Sequence, residues 1–250
     1  MLPRKRPPPF STEATMTDKT FTFTQAHSRT ETKWDDRRTC EFDELAQLFT
    51  VPTIGPKAGP CFTPAVFRST ERKMDVADQI DVAVLDSDCG HSLKEIHAAI
   101  TGKGWPAIIH STASHLKATT DIAAAPYEKW AAQNAGKSVE DYLLAKGGYL
   151  PCVLSGARIV GELGTGTARK LTIEHQPCPK FRILIPLARP WRAADFSDQG
   201  AANACWRERI GALAAALNLN HDQSCVDTSR LFFMPRIATS ASPFEFAVIK

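Results

Sequence analysis

Two acidic side chains, Asp86 and Asp88, stand one residue apart at the end of an apolar run that begins at Asp81. Residues two apart on a β-strand point to the same face, so this run predicts a strand that presents both carboxylates together. Neighbouring negative charges in partly buried space repel each other and are poorly solvated unless a cation neutralises them. The spacing therefore favours a cation site at the end of this strand. The alternative is a polar boundary between a strand and a turn at Cys89-Gly90.

A third candidate ligand is Asp227, which follows the apolar residue Val226. Three carboxylates, completed by water and phosphate oxygens, suit Mg²⁺ or Mn²⁺, because these ions prefer oxygen ligands. Two such ions about 3.5–4 Å apart can stabilise both the attacking and the leaving oxygen in nucleotidyl transfer. We therefore expect Asp86, Asp88 and Asp227 to be the catalytic and metal-binding residues, with Mg²⁺ or Mn²⁺ as the cofactor.

Groups that could hold a phosphate chain lie on several other segments, and a triphosphate requires cationic and hydroxyl donors from more than one of them. The expected nucleotide-binding residues are Ser114, His115, Lys180, Arg182 and Arg230. Each also has a purely structural interpretation. Arg182 could be a surface arginine of a strand, Arg230 could pair with the nearby Asp227, and His115 could be a polar residue satisfied within a turn.

Hydrophobic spacing predicts the elements that position these residues. An apolar strand at Val82–Asp86, a helix at Ser92–Ile100 with apolar residues at helical spacing, and a second strand at Ala107–His110 form a βαβ-like unit. Both candidate segments then lie at the C-terminal ends of strands, where open α/β sheets commonly bind ligands.

The same analysis predicts elements elsewhere in the chain. The alternating segment Thr20–Gln25 indicates a strand, and the four prolines and two glycines of Pro52–Pro64 indicate an extended loop. The other predicted elements are helices at Asp43–Phe49 and Asn203–Leu217, a helical stretch at Tyr127–Lys146, a hairpin of Ala157–Leu163 with Arg169–Glu174, and strands at Phe181–Leu187 and Leu231–Met234. The capping box of Ser138 and Asp141 predicts that the helical stretch restarts after Gly136.

Composition restricts the class of protein. The chain has 250 residues, of which 43% are hydrophobic, and a net charge of +3, which permits a polyanionic partner without requiring one. It contains no apolar run long enough to cross a membrane and no signal-peptide pattern at its start. Its seven scattered cysteines favour a reducing, cytoplasmic location. We expect a disordered leader at residues 1–18 and one catalytic domain at residues 19–250, with a helical and hairpin insertion at about 121–175.

Three motifs, taken in order, resemble those of the archaeo-eukaryotic primase superfamily. They are Val84-Leu-Asp86-Ser-Asp88, Ser114-His115 within His-Ser-Thr-Ala-Ser-His, and Val226-Asp227. The stretches from Lys180 to Pro190 and from Asp227 to Pro235 also resemble the primase-polymerase domains of phage and plasmid replication proteins. The likeness covers roughly Lys57 to Pro243. Two departures are Ala113, at a position where the family has a serine, and the long segment between His115 and Asp227.

The resemblance implies an α/β (α+β) primase-polymerase core, with a central mixed or antiparallel sheet flanked by helices. It implies a DNA-templated nucleotidyltransferase, a primase or DNA polymerase that synthesises or extends primers in phage or plasmid replication. The implied partners are nucleoside triphosphates, a single-stranded DNA template and a replicative helicase on the same or another chain, with no membrane.

Two other functions use the same residues differently. In a haloacid-dehalogenase-like phosphohydrolase, Asp86 would be the nucleophile and Asp88 the general acid/base. The chain lacks the downstream acidic motif of that class. A catalytically idle single-stranded-DNA-binding replication protein is the third possibility, but such a protein has no physical reason to keep three clustered acids.

Overall fold

The computed structural model describes residues 19–220 and 223–250, so the predicted leader at residues 1–18 lies outside the described residues. The described strands are β1 (Thr20–Ala26), β2 (Asp36–Glu41), β3 (Thr53–Ile54), β4 (Cys61–Thr63), β5 (Ala65–Phe67), β6 (Ala77–Ser87), β7 (Ala107–Ser111), β8 (Lys117–Ala123), β9 (Arg158–Leu163), β10 (Lys170–Cys178), β11 (Phe181–Arg192), β12 (Phe232–Phe233), β13 (Arg236–Ile237) and β14 (Phe246–Ile249). The α-helices are α1 (Phe42–Thr50), α2 (Leu93–Thr101), α3 (Ala124–Gln133), α4 (Val139–Tyr142), α5 (Pro151–Leu154) and α6 (Gln199–Ala216).

A central sheet with the strand order β14-β7-β11-β6-β5 organises the fold. Strand β11 pairs antiparallel with β6 on one side and with β7 on the other, so β6 and β7 run parallel without being neighbours. The predicted strand–helix–strand unit is therefore present as β6, α2 and β7, but β11 lies between its two strands. The prediction of an α/β (α+β) fold with a central sheet and helices is confirmed.

Both faces of this sheet are buried, because successive apolar side chains of the central strands point to opposite faces and each face is covered. One face carries Val84, Ile108 and Leu184, which pack in a cluster with α1 and with a second sheet of order β12-β4-β1-β2. The opposite face carries Leu85, Ile109 and Ile183, which pack with α2 and α6. Because both faces are covered by apolar layers, the ends of the strands are where polar side chains can collect.

Helix starts follow the local capping chemistry. Ser92 caps α2 by accepting the Glu95 backbone N–H, while the Glu95 side chain accepts the Ser92 backbone N–H. The side chain of Asp198 caps α6 by accepting the Ala201 backbone N–H. Among the residues described, none of the helices is both long and apolar enough to cross a membrane.

The region predicted as an insertion forms a small sheet of order β8-β10-β9 with its own apolar cluster, which includes Leu143, Leu154 and Ile173. The predicted hairpin is confirmed as β9 and β10. The helical stretch predicted at Tyr127–Lys146, with a restart after Gly136, is confirmed as α3 and α4. The backbone leaves α3 after Gln133, passes a positive φ at Gly136, and restarts at the cap Ser138 as predicted. Strand β8 was not predicted from the sequence.

The aromatic cluster under the central sheet gives a test of the core. Phe49 of α1 has no exposed surface, and its ring centroid lies 4.8 Å from that of Phe62. Phe49→Ala should lower the free energy of unfolding by about 3–5 kcal/mol, because it leaves a cavity in a close-packed layer. Phe246→Ala, at a half-exposed ring, should cost less than about 1 kcal/mol. Urea denaturation of both variants measures the difference, and equal losses would contradict this packing.

Candidate functional site

A row of polar side chains crosses the central sheet at the end of β6. In the strand register, Arg182 of β11 lies opposite Asp86 of β6 and, on its other side, opposite His110 of β7. The three residues share the sheet face that carries Val84, Leu184 and Ile108, because their positions differ from those residues by two. The polar residues therefore follow the apolar layer beneath α1 along the same sheet face, at the end where that layer approaches solvent.

The centre of this row is a buried ion pair. Arg182 donates from Nε to Oδ1 of Asp86 at 2.7 Å and from Nη2 to Oδ2 at 3.0 Å. The two side chains are only 10% and 11% exposed. Arg182 also donates from Nη1 to the Phe233 backbone carbonyl at 2.7 Å, and its guanidinium lies 4.7 Å from the Phe232 ring centroid. These contacts fix both side chains and connect the central sheet to β12.

His110 lies beside this pair in its neutral form. Its Nδ1 is 3.0 Å from the Ser111 backbone carbonyl, which can only accept, so Nδ1 carries the proton. Burial, followed by the positive charge of Arg182, lowers the pKa of His110 to about 3. Its Nε2 is buried and has no hydrogen-bond partner among the described residues. His110 thus offers an unused acceptor within the site.

A pocket opens over the row. Its lining combines two carboxylates, three cationic side chains, two hydroxyl groups and His110 with a few apolar residues: Lys57, Asp86, Asp88, His110, Thr112, Ala113, Ser114, Arg182, Phe233, Met234, Pro235 and Arg236. The strand ends predicted to form the site, after β6 and after β7, therefore meet in one pocket. Of the sequence-predicted residues, it brings together Asp86, Asp88, Ser114 and Arg182.

Sequence reasoning missed Lys57, His110 and Arg236. Lys57 lies in the connection between β3 and β4, within the predicted loop, and Arg236 follows Pro235 at the start of β13. The one available signal was the Gly-Pro-Lys-Ala-Gly pattern around Lys57, where glycines allow close approach of another group.

His115 and Lys180 lie outside the lining of this pocket. The His115 side chain is 2% exposed. It accepts the Lys180 backbone N–H at Nδ1 over 3.1 Å, and its Nε2 lies 3.4 Å from Oε1 of Glu245. Burial acts to lower the pKa of Lys180, but Tyr149 and Asp88 outweigh this effect, and the pKa is raised. His115 thus anchors the entry to β11, and Lys180 adds positive charge near Asp88.

Asp227 and Arg230 also lie outside the pocket lining. Asp227 follows a short 3₁₀ helix, and its Oδ1 accepts the backbone N–H and the hydroxyl of Ser229 at 2.9 and 3.0 Å. In residues 19–220 and 223–250, no three His, Cys, Asp or Glu side chains stand close enough to hold a metal ion. The expected three-carboxylate cluster is therefore not formed there. Asp222, which the sequence offers as an alternative to Asp227, lies outside the described residues.

Cys225, two residues before Asp227, does reach the site, since its Sγ lies 3.7 Å from Oδ2 of Asp86.

Comparison of the chain with family models, curated proteins and solved structures finds no match.

The ion pair can be tested by removing its partners singly and together. Arg182→Met leaves a buried carboxylate without its cation and should lower the free energy of unfolding by about 3–5 kcal/mol. The double variant D86L/R182M removes both charges and should be more stable than Arg182→Met alone, because no unpaired charge remains. Urea denaturation measures the cycle, and additive losses would show that the two residues do not interact.

His110 should make stability depend on pH. Its pKa in the folded protein lies below the ordinary value of 6.5, so between about pH 6.5 and 3 the unfolded chain takes up a proton that the folded chain does not. Stability should be fully present above this window and fall within it by up to about 1.4 kcal/mol per pH unit. In His110→Phe that contribution should be absent. Denaturation of both proteins at pH 7.5 and 5.0, in EDTA, measures the difference, and parallel pH profiles would contradict it.

Proposed function

We propose that this chain is a nucleotidyltransferase of the primase-polymerase type, which joins nucleoside triphosphates on a single-stranded DNA template with Mg²⁺ or Mn²⁺. The observation that carries the proposal is the composition of the pocket. Asp86 and Asp88 share it with three cationic side chains and two hydroxyl groups. A ligand that satisfies this set carries several negative charges together with a divalent cation, as a metal-bound triphosphate does.

The two strand-end carboxylates fit a divalent cation in the mode that magnesium usually adopts. In that mode one or two carboxylates bind the ion, and substrate phosphates and water complete its coordination. Asp86 and Asp88 would hold the ion, which would supply positive charge to the phosphate oxygens during transfer. Each carboxylate oxygen can accept more than one contact, so the bond to Arg182 does not exclude Asp86 from this role.

The residues of the chain orient the reactants. Arg182 holds the Asp86 carboxylate in one orientation through two hydrogen bonds, and the Phe233 carbonyl holds Arg182 in turn. The hydroxyls of Thr112 and Ser114 line the same pocket and can donate to phosphate oxygens. His110 is neutral, so it can accept a hydrogen bond from a ligand but cannot hold a phosphate by charge.

Other parts of the proposal rest on the sequence resemblance alone. They are the nucleotide contacts of His115, Lys180 and Arg230, the single-stranded DNA template and the helicase partner. His115 would act indirectly, because the structure places it at the base of β11 rather than in the pocket lining.

The sequence gives less support to the phosphohydrolase alternative, because the chain lacks the downstream acidic motif of that class.

A primer-extension assay tests the proposal. The full chain, given single-stranded DNA, labelled nucleoside triphosphates and Mg²⁺ or Mn²⁺, should make metal-dependent product, and Asp88→Asn should reduce its rate at least about a hundredfold, as expected when a group that stabilises transition-state charge is lost. Single-stranded DNA binding should persist, because it depends mainly on Lys and Arg contacts to phosphate.

Asp195→Asn is the matched control, since Asp195 lies outside the pocket and pairs with Arg189 at the surface. It should retain the activity of the parent. Absence of product with either metal would contradict the proposal. Template-independent release of phosphate from a small ester, lost in Asp86→Asn, would establish the phosphohydrolase instead.

A further inference from the structure

The cations of the pocket are not equivalent. Arg182 is neutralised by its bidentate bond to Asp86. Lys57 and Arg236 line the same pocket, and neither forms an ion pair with any residue in the described parts of the chain. The positive charge available to a ligand therefore comes from the wall made by the β3–β4 connection and β13, defined here as the loop wall (Lys57, Pro235 and Arg236).

The backbone at two glycines, Gly55 and Gly59, lies against the Arg236 guanidinium. Strand β13 pairs with β3 so that Arg236 lies beside Thr53, and its Nη2 donates to the Ile54 carbonyl at 3.3 Å. A Cβ atom added at Gly59 would lie 1.7 Å from Nη1 of Arg236, and one added at Gly55 would lie 2.1 Å from Nη2. The backbone on both sides of Lys57 thus closes around the guanidinium, which only glycine permits.

The same loop positions both Lys57 and Arg236. The loop that carries Lys57 is the loop that encloses Arg236, so the position of one side chain depends on the other. A planar guanidinium and an ammonium group, neither paired with an acidic side chain in residues 19–220 and 223–250, suit the multiply charged end of a phosphate chain. A single phosphodiester group carries only one negative charge and would leave one cation uncompensated.

We propose that Lys57 and Arg236 bind the β- and γ-phosphates of the nucleoside triphosphate, and that Gly55 and Gly59 are positioning residues for Arg236. This assignment rests on the proposed function. It divides the pocket into a loop wall, which holds the phosphates that leave, and strand-end carboxylates, which face the phosphate that is transferred. It predicts a preference for triphosphates over monophosphates.

The test uses inorganic triphosphate as the probe, titrated calorimetrically into the full chain in EDTA. Lys57→Met and Arg236→Met should each weaken binding about tenfold or more, the loss expected for a charge-assisted hydrogen bond. Gly59→Ala should produce a similar loss. Gly59 has no positive φ, and the atoms near its added Cβ all belong to the flexible Arg236 side chain, so the substitution displaces the guanidinium without straining the backbone.

A double-variant cycle gives the sharpest result. Once Arg236 is shortened to Met, adding Gly59→Ala should cause no further loss, because the displaced group is already gone. Gly211→Ala is the matched control: its added Cβ meets nothing within 4 Å, and it should bind triphosphate as the parent does. Thermal melting of each variant confirms that the folded state is retained.

Several results would overturn the inference. Two of them are unchanged triphosphate binding in Arg236→Met or Gly59→Ala, and additive losses in the double variant. The third is weaker single-stranded DNA binding in these variants with triphosphate binding intact, which would assign the loop wall to a nucleic-acid strand. A chain that binds triphosphate through these residues but makes no product would remove the proposed function and leave this inference. A chain that makes product, with the KM for nucleoside triphosphate unchanged in Lys57→Met and Arg236→Met, would leave the proposed function and remove this inference.

Discussion

The bond between Asp86 and Arg182 is the interaction on which the site depends. It joins the two central strands β6 and β11 at the point where their apolar alternation ends. Placing two charges in this layer is costly, and the cost is offset only because each charge meets the other with good geometry and further donors or acceptors. The carbonyl of Phe233 and the thiol of Cys225 complete this shell, so segments far apart in sequence are fixed by one pair.

The same pair sets the electrostatics of its neighbours. His110 lies across β11 from Asp86, and the nearby guanidinium adds to burial in keeping its ring neutral. With Arg182 occupied and His110 uncharged, the strands supply orientation and negative charge but little attraction for anions. In the site that we propose, that attraction comes from the loop wall, whose residues lie outside the central sheet. Ligand binding and positioning would then be carried by different pieces of the chain.

The sequence is informative where local periodicity and local chemistry agree. The apolar run before Asp86 predicts β6, and the helical spacing from Ser92 predicts α2. Both bounds of α2 lie within one residue of the prediction, whereas β6 begins at Ala77, before its predicted start at Val82. Strand geometry alone predicts that Asp86 and Asp88 point the same way. Strand β6 ends at Ser87, and both side chains line the pocket. The interruption of the helical stretch after Tyr127 also follows from local chemistry, because Gly136 takes a positive φ and the capping box of Ser138 and Asp141 starts the next helix.

What the sequence could not supply is pairing between distant segments. Nothing local shows that β11 enters between β6 and β7, and that insertion places Arg182 beside both Asp86 and His110. His115 carries the motif but bonds to the start of β11 instead of entering the pocket. Lys57 and Arg236 are ordinary cations in sequence and become neighbours only through the parallel pairing of β3 with β13.

The position of β11 in the chain also determines when the sheet can form during synthesis. Strands β6 and β7 leave the ribosome first, and neither can complete its hydrogen bonds until the segment that separates them has followed. Contacts of such long sequence separation form late, because loop-closure entropy is lost before they stabilise the chain. The growing chain therefore exposes two apolar strand edges for an extended interval. Nascent chains truncated before Phe181 should be the most dependent on chaperones.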